Sequence, residues 1–282
     1  MRRQRLGIVL GLCCVCAHAQ WLTYRDPATP RTRDGKANLK APAPRTPDGK
    51  PDLSGVWMHE YTSLDEMRRI YGSHRIDEAI KTDAPGMELG TQHKYAFNVF
   101  TDLDEDSLVL PETAALMEQR GPEDTTQVCA GVFGFPLAGL FSAPIKIVQA
   151  PRVTLVLYEA DNLRRQVFTD GRRLPKEFAF PAYLGYSTGR WERDVFVVET
   201  AGFNDKTPLD TLMHPHSEAL RITERFRRRD FGHLDVETTF DDPKMYRKPF
   251  TIKVPHNLLP DSDIFESFCG QNEKDRVHLQ KQ

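Results

Sequence analysis

The alternation of apolar and polar residues over 219–241 constrains this chain more than any other feature. From Ala219 to Arg227 the even positions are Leu220, Ile222, Glu224 and Phe226, and the odd ones are Ala219, Arg221, Thr223, Arg225 and Arg227. Leu234, Val236, Thr238 and Phe240 then alternate with Asp235, Glu237, Thr239 and Asp241. A period of two is the mark of strands with one face buried, so the segment reads as a hairpin. Its turn is Arg-Asp-Phe-Gly at 229–232, with glycine available for a positive φ. Glu224 breaks the pattern, because alternation puts its carboxylate on the apolar face. Such a group needs a partner or a shifted pKa.

The amino terminus has the order of an export leader. Basic residues Arg2, Arg3 and Arg5 precede an apolar stretch from Leu6 to Cys16, too short to span a bilayer. Ala17-His18-Ala19 then matches the small-x-small cleavage pattern, which predicts a signal peptide over 1–19 and a periplasmic or secreted chain. No later segment reads as a membrane span. Loss of the leader arginines moves the formal charge from −2 to −5, which leaves no footprint for nucleic acid. Of five cysteines only Cys129 and Cys269 remain, and an oxidising compartment favours a disulfide between them over two buried thiols.

Residues 20–51 are rich in proline and basic residues and offer little to bury. They hold an imperfect repeat, TRDGKANL at 32–39 and TPDGKPDL at 46–53, each with an Asp-Gly turn. The segment reads as an extended arm, and a tether is its simplest role. A single domain over 52–282 follows. Leu53–Met58 predicts a first strand, and Ser63-Leu-Asp-Glu66 a capping box opening a short helix. A second helical piece is expected near 75–81, and Pro111 to Arg120 forms another helix. Further strands are expected at 144–149, 153–160, 163–169, 184–192, 195–201, 219–228, 233–241, 248–255 and 264–268. This spacing predicts an all-β, antiparallel barrel with a few peripheral helices, or a β-sandwich.

Parity places more charge on apolar faces. Glu159 follows Val153, Leu155 and Leu157; Glu199 follows Val195 and Val197; Arg165 lies between Leu163 and Val167; Glu266 lies between Ile264 and Phe268. In a barrel these groups and Glu224 would converge on one axis. The arrangement reads as a structural ion network or as the floor of a pocket. Around it, Asp170, Arg172, Tyr183, Tyr186, Trp191, Asn204 and Asp205 are candidates for a pocket rim, and Trp57, Tyr158, Phe180 and Phe203 for apolar lining.

The loop His214-Pro-His216-Ser-Glu218 offers three zinc-type ligands at alternate positions, though no second ligand cluster accompanies them. His216 could also serve as a general base oriented by Asp205 or Asp210, but a turn role for His216 and Ser217 is simpler. No Gly-x-Ser-x-Gly elbow is present, and no organic cofactor motif appears.

Several strings carry a resemblance: PDLSGVW at 51–57, FTDGR at 168–172, GRWE at 189–192, ETAGFND at 199–205 and HSEALRITERF at 216–226. With these the chain from about residue 47 onward resembles a family of secreted bacterial proteins of unknown function. The resemblance implies a signal peptide and a lipocalin-like (calycin-like) barrel, and it carries over no catalytic residue. One departure is Arg193, where that family's pattern has glycine. Two readings follow: a barrel that binds a small amphipathic molecule in its interior, and a cofactor-independent acid–base enzyme using Glu224 or Glu199 with Glu159, Arg165 and His216.

Overall fold

The computed structural model describes residues 24–82, 93–120, 134–135, 137–140 and 143–266. The predicted leader, Cys129 and Cys269 lie outside the described residues. Among those residues nine strands close into a barrel: β1 (Gly55–His59), β2 (Ile145–Ala150), β3 (Val153–Tyr158), β4 (Arg164–Phe168), β5 (Tyr186–Glu192), β6 (Val195–Ala201), β7 (Arg221–Arg228), β8 (His233–Asp241) and β9 (Phe250–Leu258). Pairing of β1 with β9, through Trp57 to Leu258 and His59 to His256, closes the ring and rules out a sandwich. Of the strand expected over 264–268, residues 264–266 are irregular and 267–268 lie outside the described residues.

The barrel is not wholly antiparallel. Strands around a ring of nine cannot all alternate in direction, so a neighbouring pair must run parallel. That pair is β4 and β5, joined by the long return over 169–185. Their pairing is short, Val167 with Ser187 and Phe168 with Thr188. This seam has the thinnest backbone ladder in the barrel.

Alternation sets the inner face of the C-terminal strands. Ile222, Glu224, Phe226 and Arg228 of β7 are buried, as are Leu234, Val236, Thr238 and Phe240 of β8. Phe250, Ile252, Val254, His256 and Leu258 of β9 continue the rows. One end is filled by aromatic packing, with the Phe100 and Phe250 rings 4.6 Å apart and Phe240 stacked on Phe250 at 4.9 Å. Toward the other, Arg228 lies 4.9 Å from the buried Trp57 ring and donates to the carbonyls of Asp52 and Phe231.

The helices are peripheral. In α1 (Leu64–Tyr71) the Ser63 side chain accepts from the Glu66 amide at 3.2 Å, as the capping box requires. Met67 and Ile76 pack α1 against α2 (Ser73–Thr82). Then come α3 (Lys94–Phe97), α4 (Glu105–Leu108) and α5 (Pro111–Arg120).

The described part of the arm is not a loose tether. Its two repeats form matching turns, closed by Thr32 N–H to Lys36 O at 2.9 Å and Thr46 N–H to Lys50 O at 2.8 Å, each with a glycine at φ 80°. Leu39 and Ala41 accept from the Gly232 and Phe231 amides in the β7–β8 turn. Gly232 has no positive φ; it is needed because a Cβ there would lie 2.5 Å from Leu39 Cβ. In the β5–β6 turn Arg193 does adopt a positive φ of 56°, a conformation glycine would take at lower cost.

Candidate functional site

At mid-height the inner face of β4 presents Arg165, 3 % exposed. Its Nε donates to Ser187 Oγ on β5 at 2.9 Å, and its Nη2 to Thr200 Oγ1 on β6 at 2.6 Å and Glu224 Oε2 on β7 at 2.5 Å. Phe135 covers the guanidinium, 4.5 Å from the ring centre. A single side chain thus stitches β4 to the next three strands across the seam. Gly189 keeps the seam tight, since a Cβ there would meet Phe196 at 2.5 Å. A charge buried this deeply needs such pairing, because isolated it would cost several kcal/mol.

Beside this pair is a small cavity of about 50 Å³. Ile145, Val156, Phe226, Val236, Ile252 and Val254 supply its apolar wall, and Tyr158, Arg165, Glu224, Thr238 and His256 its polar groups. His256 Nδ1 lies 3.0 Å from the Val254 carbonyl. That contact assigns the proton to Nδ1 and leaves Nε2 as an acceptor. Burial, with His59 as neighbour, depresses the His256 pKa to about 3, so the ring stays neutral. Among the described residues neither His256 Nε2 nor the Thr238 hydroxyl has a hydrogen-bond partner, although the two residues are only 6 % and 5 % exposed.

The other acids expected to face inward do not join this centre. On β3 the buried residues are Thr154, Val156 and Tyr158, so the expected parity is reversed and Glu159 follows the outer face. Its carboxylate accepts from the Phe265 amide at 2.8 Å. On β6 Phe196, Val198 and Thr200 face inward; Glu199 faces out and pairs with Arg190 at 3.0 Å. Glu266 is exposed and on no strand. Both faces of β3 and β6 are apolar, so alternation alone could not choose between them. The acids at 159, 199 and 224 therefore share no common centre.

The loop over 202–218 holds a different pair. His214 is fully buried, with Nδ1 2.6 Å from Asp210 and Nε2 3.1 Å from Glu105 of α4. Burial opposes its charge, but the two carboxylates outweigh it and raise the pKa to about 9. Asp210 also accepts from the Val99 amide, so this ion pair pins the α3–α4 segment to the loop. His216 Nε2 instead lies 3.1 Å from Thr207 Oγ1, and Glu218 is exposed. The three potential ligands point to different surroundings, and among the described residues no group of three metal-binding side chains is assembled. Ser217 donates to Asp242 at 2.8 Å, a turn contact.

The rim residues are scattered. Asp170, Arg172 and Tyr186 form one set, with Arg172 donating to Asp170 at 2.6 Å and to Tyr186 at 3.0 Å. Tyr183 is exposed and Phe180 is 91 % exposed. Trp191 packs on Phe196 at 5.1 Å, Trp57 and Phe203 are core, and Asn204 accepts from the Lys206 amide in a turn. Asp205 is exposed. No protein-family model, curated protein or solved structure matches the chain. Any functional reading therefore rests on this geometry.

The residue that sequence reasoning missed is His256. Its signal was present, since Phe250, Ile252, Val254, His256 and Leu258 alternate as Glu224 and its neighbours do. Among the described residues no helix is long and apolar enough to cross a membrane.

Proposed function

We propose that this protein is an exported binding barrel whose interior takes a compact amphipathic molecule between Glu224, Thr238 and His256. The observation that carries the reading is the His256 imidazole, buried in the cavity wall with an acceptor nitrogen unpaired. Buried polar atoms without partners are rare, and an unfilled acceptor beside a cavity calls for a donor. The ligand would offer a hydroxyl or amide N–H to His256 and lay its apolar part against Val236, Ile252 and Val254. A water needs roughly 10–15 Å³ by the same measure of volume, so about 50 Å³ admits only a short molecule or one arm of a larger one. The leader pattern at residues 1–19 supports export, as does the resemblance to secreted bacterial proteins. The acid–base reading has weaker support, because Glu224 is held by Arg165 and the other acids lie elsewhere.

Native mass spectrometry of protein isolated from its own cells tests the binding reading. The expected result is a small bound mass that is released on denaturation and lost in His256→Phe/Thr238→Val. Protein that carries no such mass, and is not stabilised by short-chain alcohols or amides, would overturn it. Amino-terminal sequencing of the same sample should begin at Gln20.

A further inference from the structure

The outer side of the β4–β5 seam carries a second, larger cavity, an open groove of about 540 Å³. Its wall is the segment Gly171–Leu174 that leaves β4, and its floor is the outer face of β5, β6 and β7. Register aligns Thr188, Glu199 and Thr223 in one cross-strand row along that floor. Four arginines line the groove, Arg172, Arg173, Arg190 and Arg221, against Glu199 as the one acid. Arg172 is engaged by Asp170, and Arg190 by Glu192 and Glu199. Among the described residues Arg173 and Arg221 have no ion-pair partner.

This concentration of positive charge runs against a chain whose formal charge is −2. Surface arginines normally pair with acids, whereas here two guanidiniums without an ion pair border one concavity with threonine hydroxyls beneath them; Arg221 has Asp241 as its cross-strand neighbour but makes no ion pair with it. A guanidinium is a planar fork of donors suited to phosphate or carboxylate oxygens. We propose that the groove is a second binding site, for a molecule presenting two or more negative charges as phosphate or carboxylate groups. Arg173 and Arg221 take the anionic groups, Arg172 and Arg190 complete the field, and Thr188 and Thr223 offer hydroxyls to the body of the ligand. The site is separate from the barrel interior, and it stands whether or not the interior holds a ligand.

Isothermal titration calorimetry of the full chain with inorganic pyrophosphate tests the proposal. Saturable one-to-one binding is expected, weakening steeply as salt rises. Arg173→Gln and Arg221→Gln should each weaken it roughly tenfold, as expected for a charge-assisted hydrogen bond. Glu199→Gln should tighten it a few-fold by removing the one acid, and Glu224→Gln should leave it unchanged. Absence of binding at millimolar pyrophosphate and low salt would overturn the proposal, as would binding that the Arg173→Gln/Arg221→Gln double variant retains. A second arm adds vesicles of phosphatidylglycerol in phosphatidylcholine. Vesicle binding that pyrophosphate displaces assigns the phosphate to a lipid headgroup, and pyrophosphate binding alone assigns it to a soluble ligand.

Discussion

The two faces of the β4–β5 seam treat arginine in opposite ways. Inside, Arg165 is sealed from water and uses Glu224, Ser187 and Thr200 to complete its hydrogen bonds. Outside, Arg173 and Arg221 stand in solvent without an ion pair, although register sets Asp241 of β8 across from Arg221. The difference follows from the cost of desolvation. A buried guanidinium without a partner would unfold the seam, so its partners are built in. A solvated one needs none, and is left able to bind something that arrives later. The same side chain is structural on one face and available on the other.

The largest test of this contrast removes one partner of the inner pair. Arg165→Met leaves Glu224 buried and unpaired, and should cost about 3–5 kcal/mol in denaturant unfolding. The double variant Arg165→Met/Glu224→Met should recover most of that loss, since an apolar pair of similar volume needs no compensation. If the single variant costs under ~1 kcal/mol, the inner pair is not the clasp described here.

The buried histidines sharpen the point at a smaller scale. His93 and His256 make no ion pair among the described residues, and burial, with His59 as a neighbour of both, holds each pKa near 3. In the unfolded chain they would take protons near pH 6.5, whereas the folded state refuses them. Stability is therefore present above pH 6.5 and lost as pH falls toward 3, by about 2 kcal/mol per histidine at pH 5. Replacing His256 with Phe should flatten this acid limb in urea titrations. His214, between two carboxylates, shows the reverse sign. Its raised pKa of about 9 makes its contribution complete below pH 6.5 and lost as pH rises to 9. Asp210→Asn should shrink that alkaline slope, leaving the part due to Glu105.

The smallest expected effect is on the outer face. Arg173→Gln and Arg221→Gln should each change stability by less than ~0.5 kcal/mol, while altering anion binding. A large stability loss there would mean that these arginines carry structural contacts and would erase the contrast.

Much of the barrel was legible because alternation is a local property. On β7 and β8 one face is apolar and the other charged, so Glu224 could be placed inside from spacing alone. On β3 and β6 the code is ambiguous. Phe196, Val197 and Val198 are all buried, and Leu155 and Leu157 compete with Val156 and Tyr158 for the interior. A shift of one residue reverses every side chain, so Glu159 and Glu199 were assigned to the wrong side. His256 needed only the same count applied to β9, continued past Pro255 to Leu258.

Taken alone, the sequence determined most of the sheet-forming segments, the capping box of α1 and the inward carboxylate at 224. Only the tertiary structure decided that β1 pairs with β9, that one neighbouring pair must run parallel, and that Arg165 meets Glu224 across 59 residues of chain. The physical reason is range. Propensity and alternation act over a few residues, whereas ring closure, strand register and charge pairing depend on partners that only the folded chain brings together.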